Sequence, residues 1–266
     1  MKVKSALNIF IPCHNSQAYI SDTIKSILVQ SYRDFLLYVV DNNSTDRTID
    51  TVKQFKDDRI IIIKNKKNIG MFGNMNKCIR LAKAKYTKIV CSDDLLNHKD
   101  ALAMQVSILD KYPQVNLVYN ASQIIYNGKK ILERRYFSKA KMINGGVLIN
   151  AILKSARNPI GEPTGVMFRT SIPKIKYLRF DERFKYISDL DFWLKLLKFG
   201  DGYYINQVLS SFRIHRNSGS ISLFSKALKE HLKLLSIYWE EFNLSLLDIL
   251  FINLKLYINS IFKSIF

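Results

Sequence analysis

The chain has 266 residues, 48% of them hydrophobic, which supports one core of ordinary depth with a small appendage. Lysine and arginine outnumber aspartate and glutamate by 41 to 22, and the formal net charge of +19 attracts phosphate-bearing partners of any kind. Cys13, Cys78 and Cys91 show no metal-ligand spacing, and no run of about 18 residues lacks charge, which excludes a zinc module and a clear transmembrane helix.

The first half of the chain alternates strand and helix patterns. Short apolar runs rich in β-branched residues predict buried strands at 7–12, 35–40, 59–64 and 88–91. Apolar residues at helical spacing predict a helix between successive strands, over 19–30, from 44–46 to about 55, and from 73 to 84. Such βαβ units predict an α/β, Rossmann-like fold with a mostly parallel central sheet flanked by helices. Neither GxGxxG nor GxxxxGK[ST] occurs, which disfavours a dinucleotide dehydrogenase and a P-loop enzyme.

Two adjacent carboxylates follow the fourth predicted strand. Asp93 and Asp94 would lie at the carboxyl edge of the sheet, where open α/β folds bind their ligands. Side-by-side carboxylates repel each other unless something positive lies beside them, and hard oxygens near a phosphate-bearing ligand suit Mg²⁺ or Mn²⁺. The alternative interpretation is an Asx turn that caps the next predicted helix, at 99–111.

The second half is less regular. Apolar runs predict strands at 115–121 and 166–169, and Asn127-Gly128 predicts a two-residue hairpin turn. Helices are expected at 146–155 and 188–199, with a turn-rich loop at 158–165. Residues 213–220 read as a polar loop, and everything beyond 220 reads as helical.

An ordered set of short motifs resembles one known family. The matching segments are 11–15 (IPCHN), 40–46 (VDNNSTD), 68–70 (NIG) with Asn76, 92–94 (SDD), 188–193 (SDLDFW), and 213–215 (RIH) with Ser220. In this order, across residues 6 to 220, the chain resembles the family 2 glycosyltransferases with the GT-A fold, bacterial enzymes of polysaccharide assembly. Each motif alone is weak, and the ordered set is specific.

The resemblance implies transfer of a sugar, with inversion, from a nucleoside diphosphate, expected to be UDP, to an acceptor hydroxyl. The acceptor would be a saccharide or a polyprenyl-diphosphate-linked sugar, in lipopolysaccharide O-antigen or capsule assembly. The expected nucleotide-binding residues are Pro12, His14, Asn15, Asp41, Gly70, Ser92 and Asp93, with Asp41 on the base. Asp93, Asp94 and His215 would hold Mn²⁺ or Mg²⁺. Asp189 would be the catalytic base, and the expected acceptor contacts are Glu162 and Asp191.

Two positions depart from the family pattern. Cys91 stands where the family often has an aspartate, and a neutral thiol is a poor ligand for a hard cation. Either Asp93 and Asp94 suffice, or the ribose contacts fall elsewhere, or metal dependence is weak. Ser188 replaces the usual glutamate before Asp189. Burial would raise the pKa of Asp189 and a helix N-terminus would lower it, and the sequence leaves that balance open.

The predicted domains are a GT-A catalytic domain at 1–220, with a nucleotide-sugar half at 1–121 and an acceptor half at 122–220, and a helical C-terminal extension at 221–266. Within the extension, 244–266 has a broad apolar face with lysines opposite. This segment could lie in a membrane interface, pack on the catalytic domain, or join a homodimer. With the charge of +19, we expect a cytoplasmic protein bound peripherally to the inner face of the cytoplasmic membrane.

Two other classes of protein compete with the transferase. A polyanion or nucleic-acid binder would cluster basic residues with stacking aromatics, whereas the lysines here are scattered and no such motif occurs, so no nucleic-acid partner is expected. An inactive transferase-like scaffold is disfavoured by Asp41, Asp93, Asp94 and Asp189, and Cys91 keeps it open.

Overall fold

Residues 5–155, 157–172, 175–215 and 227–242 are described by a computed structural model of the chain. Its first half contains strands β1 (Leu7–Cys13), β2 (Phe35–Asp41), β3 (Ile60–Lys64) and β4 (Tyr86–Ile89), and helices α1 (Ile20–Leu28), α2 (Thr48–Lys53) and α3 (Met71–Leu81). The four strands are parallel neighbours in the order β3-β2-β1-β4, as the strand and helix alternation predicts. Their carboxyl ends therefore meet at one edge of the sheet.

The second half adds six strands and four helices to the described chain. In order they are β5 (Leu95–Leu96), α4 (Ala101–Lys111), β6 (Val115–Tyr126), β7 (Lys129–Arg134), β8 (Lys141–Ile143), α5 (Gly145–Ser155), β9 (Val166–Arg169), α6 (Ser188–Leu197), β10 (Asp201–Ile214) and α7 (Ala227–Tyr238). The predicted hairpin turn is confirmed, because Asn127 and Gly128 join β6 to β7 with positive φ at both residues.

All ten strands belong to one sheet, whose main path is β3-β2-β1-β4-β9-β6-β10-β5. Strand β9 is antiparallel to both β4 and β6, and it joins the parallel half to the second half. Strand β10 runs parallel to β6 and antiparallel to β5 and β8. The predicted α/β sheet with flanking helices is confirmed, and it is parallel in the nucleotide half and mixed beyond β4.

The longest strand, β10, is the main feature that the sequence analysis missed. Residues 213 and 214, predicted as loop, are its last two residues. Its register shifts between Asp201 and Gly202 and twice between Ile205 and Ser210, and its buried residues do not alternate with exposed ones. Each bulge changes which face a side chain points to, so the period of two that marks a strand is lost.

Strand β4 covers 86–89 instead of the predicted 88–91. Val90 still donates a backbone hydrogen bond to Phe10 O (2.9 Å), and the chain then leaves the sheet. Cys91, Asp93 and Asp94 therefore lie in a loop beyond the end of the strand and are not part of the sheet. That loop is the position expected for a ligand-binding segment.

Two hydrophobic clusters cover the two faces of the sheet. Strand β1 shows the division, since Phe10 belongs to one cluster and its neighbours Ile9 and Ile11 belong to the other. Phe192 and Trp193 of α6 are fully buried in the Phe10 cluster, so these two residues of the 188–193 motif belong to the core.

The described part of the C-terminal extension packs against this core. Helix α7 contributes Leu234, Leu235 and Tyr238 to the Phe10 cluster. The amphipathic segment predicted at 244–266 lies outside the described residues. Among the residues that are described, no helix is both long and apolar enough to span a bilayer.

Two adjacent glycines at the start of α5 give a paired test of the packing between α5 and α6. A Cβ on Gly145 would fall against the carbonyl oxygens of Leu197 and Gly200, whereas one on Gly146 would meet only Asn144 Oδ1, at 3.5 Å. We expect Gly145→Ala to lower the free energy of unfolding by about 1–3 kcal/mol, because backbone must move to admit the methyl group. Gly146→Ala should leave it unchanged or raise it by up to about 1 kcal/mol. Equal effects of the two variants in urea denaturation would contradict this packing.

Candidate active site

The nucleotide end of the site is built on the carboxyl end of β2. Asp41 is fully buried, and its Oδ1 accepts hydrogen bonds from the Ser44 amide (3.1 Å) and the Ser44 hydroxyl (2.5 Å). Its Oδ2 is also buried and has no hydrogen-bond partner among the described residues. A buried carboxylate oxygen without a donor is costly, so this atom is a ready acceptor for an N–H of a bound ligand.

The loop after β1 is tied to the loop after β2. Asn15 adopts a left-handed conformation (φ 50°), which asparagine tolerates better than most residues. Its Oδ1 accepts from the Thr45 amide (2.9 Å), and its own amide donates to Ser44 Oγ (3.0 Å). In the strands before these loops, Pro12 of β1 is the register partner of Val40 of β2. Pro12, Asn15 and Asp41 therefore lie together, as predicted.

A network of buried amides brings His14 and Gly70 to the same corner. Asn42 Oδ1 accepts from Asn65 Nδ2 and from the Ile69 amide (both 2.9 Å), and Asn42 Nδ2 donates to Asn68 Oδ1 (2.8 Å) and Gly70 O (3.1 Å). Asn68 Nδ2 lies 3.2 Å from His14 Nε2. Asn65 was missed by the sequence analysis, although its position just after a predicted strand was a usable signal.

Asp94 is a fully buried structural centre of the loop after β4. Its Oδ2 accepts from the Thr164 hydroxyl (2.6 Å), and its Oδ1 accepts from the Arg213 amide (3.0 Å). Burial raises its pKa well above the usual value, and the charge of Asp93 adds to the rise. Through its two hydrogen bonds, Asp94 ties this loop to the segment before β9 and to the end of β10. Ser92, the other predicted member, bonds through its Oγ to Ser16 Oγ (2.8 Å).

Asp93 points to a different partner. Its Oδ2 lies 3.0 Å from His215 Nε2, so the end of β10 brings the predicted histidine to the predicted carboxylate. The His215 ring stacks on Tyr19 at a centroid distance of 4.6 Å, which fixes its orientation. Asp93 and His215 are both half-buried and can be reached by a ligand.

These residues fit a divalent cation, and the Cys91 thiol beside them does not. Ligand atoms of Cys91, Asp93 and Asp94 lie within 4.8 Å of one another. Burial and the two carboxylates hold the pKa of the Cys91 thiol well above its usual value, so it stays neutral and is unsuited to a hard ion. Both Asp94 oxygens already accept hydrogen bonds. Asp93 and His215 are the accessible residues that fit Mn²⁺ or Mg²⁺, whereas Asp94, whose oxygens each keep one lone pair, lies buried behind them and stays a predicted ligand.

A buried lysine on β4 holds the backbone that contacts the loop of Asp93 and Asp94. Lys88 Nζ donates to Thr164 O (2.7 Å), Gln105 Oε1 (3.0 Å) and Val166 O (3.2 Å), and burial lowers its pKa to about 7. The Thr164 side chain in turn accepts from the Cys91 amide (3.0 Å) and donates to Asp94. Sequence reasoning read Lys88 only as part of a strand, although a lysine inside an apolar run was a signal.

Asp189 lies in the first turn of α6, at the acceptor end. The Leu190 amide donates to its Oδ1 (2.7 Å), and Asn158 Nδ2 is 3.4 Å from its Oδ2. Enclosure of the carboxyl raises its pKa to about 7, and the nearby charge of Glu162 adds to this effect. Desolvation therefore outweighs the helix N-terminus, and the balance that the sequence left open favours a base.

Glu162 is not a free carboxylate. Arg134 approaches it with two nitrogens, each 2.5 Å from a different carboxylate oxygen, in a bidentate pair. The loop that carries Glu162 is held in turn by Trp193 Nε1, which donates to Gly161 O (3.1 Å). Arg134, which the sequence analysis did not single out, thus belongs to the acceptor end together with Glu162.

The hypothesis that Asp191 contacts the acceptor is not supported by its position. Its carboxylate is buried and lies 2.5 Å from Lys195 Nζ, one turn later on α6. Residues two apart on a helix point to opposite sides, so Asp191 faces away from the side that carries Asp189. We therefore assign Asp191 to an ion pair that stabilises the helix.

Comparison with known proteins supports one family. The model described as "Glycosyl transferase family 2" matches residues 8–175. The Escherichia coli protein named UDP-Glc:alpha-D-GlcNAc-diphosphoundecaprenol beta-1,3-glucosyltransferase WfaP is 28% identical over 232 residues, covering 87% of this chain and 86% of that protein. The putative teichuronic acid biosynthesis glycosyltransferase TuaG of Bacillus subtilis is also 28% identical, covering 85% and 86%.

Solved structures share the architecture. Staphylococcus aureus TarS 1-349 in complex with UDP-GlcNAc has a TM-score of 0.69 at 19% identity, over 85% of this chain. The mannosyltransferase PcManGT from Pyrobaculum calidifontis, in complex with GDP-Man and Mn²⁺, has a TM-score of 0.64 at 17% identity, over 87% of this chain. This chain spans 65% and 64% of those two chains, less than two thirds of each. The likeness confirms the expected GT-A fold.

The raised pKa of Asp189 has a consequence for stability. Its folded pKa of about 7 exceeds the unfolded value of 3.8, so ionisation costs the folded state stability as pH rises between those values. We expect Asp189→Asn to raise Tm by a few degrees at pH near 8 and to leave it unchanged at pH near 4, since one pKa unit is worth about 1.4 kcal/mol. Calorimetry at both pH values measures this difference. Asp58→Asn, at an exposed position, is the matched control, and equal Tm shifts for Asp189→Asn at both pH values would contradict the assignment.

Proposed function

This chain belongs to glycosyl transferase family 2, and from that membership we propose that it moves a sugar from UDP to a hydroxyl of a lipid-linked saccharide, with inversion at the anomeric carbon. The names of WfaP and its relative WfgD, both of Escherichia coli, give UDP-Glc as donor and alpha-D-GlcNAc-diphosphoundecaprenol as acceptor. We therefore propose a UDP-hexose and a diphospholipid-linked sugar as the substrate classes. The product would be an intermediate of a cell-surface polysaccharide.

The observation that carries the proposal is the set of three different environments given to three aspartates. Asp41 has a buried oxygen without a donor, Asp93 lies half-buried beside an imidazole, and Asp189 is enclosed with a pKa near 7. These environments suit an acceptor for a base N–H, a cation ligand and a proton acceptor, respectively. A scaffold without activity would not need an aspartate whose ionisation is unfavourable in the folded state.

Donor binding would use the nucleotide corner. Asp41 Oδ2 would accept the N–H of uracil, and the loops that carry Pro12, Asn15 and Gly70 would enclose the nucleoside. Gly70 has φ 77° and no atom within 4 Å of a Cβ position, so an added side chain would be strained by its backbone conformation alone. This requirement explains a glycine at the entrance of α3.

The diphosphate would lie beside Asp93, Ser92 and His215. We propose that Asp93 and His215 hold Mn²⁺ or Mg²⁺, with Asp94 fixing the loop behind them. When bound, the ion would offset the negative charge of the departing diphosphate. Neutral Cys91 adds no charge to this site, so fewer carboxylates are available to the ion than in the usual acidic triplet.

The acceptor would enter on the side of Asp189. Its carboxylate takes the proton of the acceptor hydroxyl, whose oxygen bonds to the anomeric carbon while the bond from that carbon to the diphosphate breaks. UDP leaves with the electron pair, and one displacement inverts the centre. A carboxyl with a pKa of about 7 is a stronger base than an ordinary aspartate and is still partly ionised at neutral pH. The Arg134–Glu162 pair would line the acceptor side.

The lipid-linked acceptor implies work at a membrane surface. A diphospholipid cannot leave the bilayer readily, so the enzyme would meet it at the inner face of the cytoplasmic membrane. The net charge of +19 favours the anionic lipids of that leaflet. We keep peripheral association as part of the proposal.

Nucleotide binding tests the donor assignment. We expect UDP with Mn²⁺ to stabilise the protein by about 2.7 kcal/mol at a concentration about 100 times its Kd, and GDP, TDP and CMP to stabilise it less. Asp93→Ala should remove the Mn²⁺-dependent part of the Tm shift, because it removes the carboxylate that the ion can reach. Asp58→Ala, an exposed aspartate outside the site, should keep the whole shift.

Transfer is measured with UDP-glucose and a GlcNAc-diphosphate-lipid. Wild-type protein should release UDP only when the acceptor is present, and Asp189→Asn should bind UDP normally yet turn over about 10²–10⁴-fold more slowly. A folded protein that shows no Tm shift with any nucleotide would refute the nucleotide-sugar proposal and favour a scaffold or a polyanion binder.

A further inference from the structure

A groove lined by basic side chains lies beside the nucleotide corner. It has a volume of about 590 Å³ and runs between the carboxyl end of β3, the loop that follows and α3. No carboxylate lines it, and its five cations are Lys64, Lys66, Lys67, Lys77 and Arg80. Lys64 is the register partner of Asp41, so the groove opens at the same sheet edge as the nucleotide site.

No described residue neutralises these cations. None of the five forms an ion pair within the ranges that the structure describes, and all except Lys77 are exposed. Lys77 donates to Asn65 Oδ1 (2.6 Å), which carries no charge. Five positive charges around one concave surface repel one another, so an anionic ligand would relieve that repulsion.

Apolar side chains adjoin the same surface. β3 is the last strand of the sheet path, and Ile62 shares its exposed face with Lys64. Ile62 is 36% exposed, and two further apolar side chains, Ile69 and Leu81, line the groove itself. A surface that combines free cations with exposed apolar side chains matches the boundary between lipid phosphates and acyl chains.

We propose that this groove docks the enzyme on a membrane by binding the phosphate groups of anionic lipid headgroups. The choice of lipid over a free anion rests on the lipid-linked acceptor proposed above and on the apolar side chains beside the groove. Docking here would bring the sheet edge that carries Asp41 close to the surface where the acceptor resides.

Vesicle binding by the full chain tests the proposal. The groove variant Lys66→Gln, Lys67→Gln, Arg80→Gln is compared with a control that carries Lys25→Gln, Lys99→Gln and Lys129→Gln, three exposed lysines outside the groove. Each cation near an anionic surface contributes about a fivefold gain in binding, so the groove variant should bind phosphatidylglycerol vesicles about 100-fold more weakly than wild type. The control should bind these vesicles like wild type, and none of the three proteins should bind phosphatidylcholine vesicles.

Retention of the UDP-dependent Tm shift shows that the variants are folded. If the proposed function is wrong, this shift is absent from wild type as well, whereas the vesicle comparison still tests the groove. Equal binding of the groove variant and the control to phosphatidylglycerol would overturn the proposal. So would inorganic phosphate at millimolar concentration displacing the protein fully from the vesicles, which would assign the groove to a free anion.

A second inference comes from a buried carboxylate on α7. Glu230 is 6% exposed, and its Oε1 accepts from the Lys185 amide (2.8 Å). Its Oε2 accepts from the amides of Tyr186 (2.7 Å) and Ile187 (3.2 Å). These donors are the backbone groups just before α6, and the Asp189 side chain follows two residues later. One glutamate from the C-terminal extension thus satisfies three consecutive amides at the base of the acceptor end.

We infer that Glu230 is a positioning residue for Asp189. Its carboxylate fixes the entry of the chain into α6, and it occupies amides that would otherwise be free to turn toward another anion. Besides the Leu190 amide and Asn158, four titratable groups act on the Asp189 carboxyl: the pair Arg134 and Glu162, and the ring hydroxyls of Tyr136 and Tyr186. Glu230 differs from these four groups because its carboxylate bonds to the backbone before α6, so it acts on Asp189 through the position of the helix.

The test compares the Asp189→Asn effect in two backgrounds. We expect Glu230→Gln to reduce the pH-dependent rise in Tm that Asp189→Asn causes near pH 8, because freed amides and water stabilise the Asp189 anion. A purely structural loss would lower Tm equally with aspartate or asparagine at 189. Turnover of UDP-glucose should fall about 10–100-fold with the Km for UDP-glucose unchanged, since small misplacement of a base is costly.

Glu240→Gln makes the same chemical change at an exposed site beyond α7 and should alter neither readout. Glu230→Asp, which keeps the charge but is too short to reach all three amides, serves if the glutamine variant does not fold, and it should give a smaller change in the same direction. Wild-type turnover together with an unchanged Asp189→Asn effect, in whichever variant folds, would overturn the inference. The stability readout needs no substrate, so it stands even if the proposed reaction is wrong.

Discussion

The buried Lys88 side chain is the interaction on which the site depends most. Its Nζ joins carbonyl oxygens at the start of β9 to Gln105 of α4, at the centre of the sheet where the parallel half meets the antiparallel strand. Thr164 then passes this constraint to the loop above through the Cys91 amide and the Asp94 carboxyl. The backbone beneath the candidate cation site is thereby fixed by groups that never touch a substrate.

The same side chain, aspartate, takes four roles here because its surroundings differ. Asp94 is fully enclosed and serves as a cross-link between loops, whereas Asp93, one residue earlier, remains accessible to a cation. One oxygen of Asp41 accepts from Ser44 and the other is unpaired, and Asp189 is enclosed with no ion pair to another described residue. Burial and hydrogen bonding, not residue type, separate the environments that suit the proposed base, the proposed cation ligand and the structural cross-link.

The predictability of the fold from sequence divides at β4. In the parallel half, the strands are mostly short apolar runs and helices alternate with them, so local patterns sufficed for β1 to β4 and α1 to α3. Beyond it, β10 carries bulges, and β5 and β8 are only two and three residues long, too short for any periodicity to show. The hairpin at Asn127 was an exception because its turn needs positive φ, and the pair Asn-Gly, which favours positive φ, is visible in the sequence.

For the site, the motifs located the residues that end strands or begin helices, because the fold places those ends together. They could not find Arg134, whose partner Glu162 is remote in sequence, or Glu230, which acts on backbone amides rather than on a side chain. They also misassigned Asp191, since the motif that contains Asp189 cannot tell which face of α6 is buried. Pairings of this kind depend on how separate elements pack, and that information lies in the tertiary structure. Because α7 supplies both core side chains and the Glu230 contacts, this helix shares one core with the strands and helices that carry the candidate site.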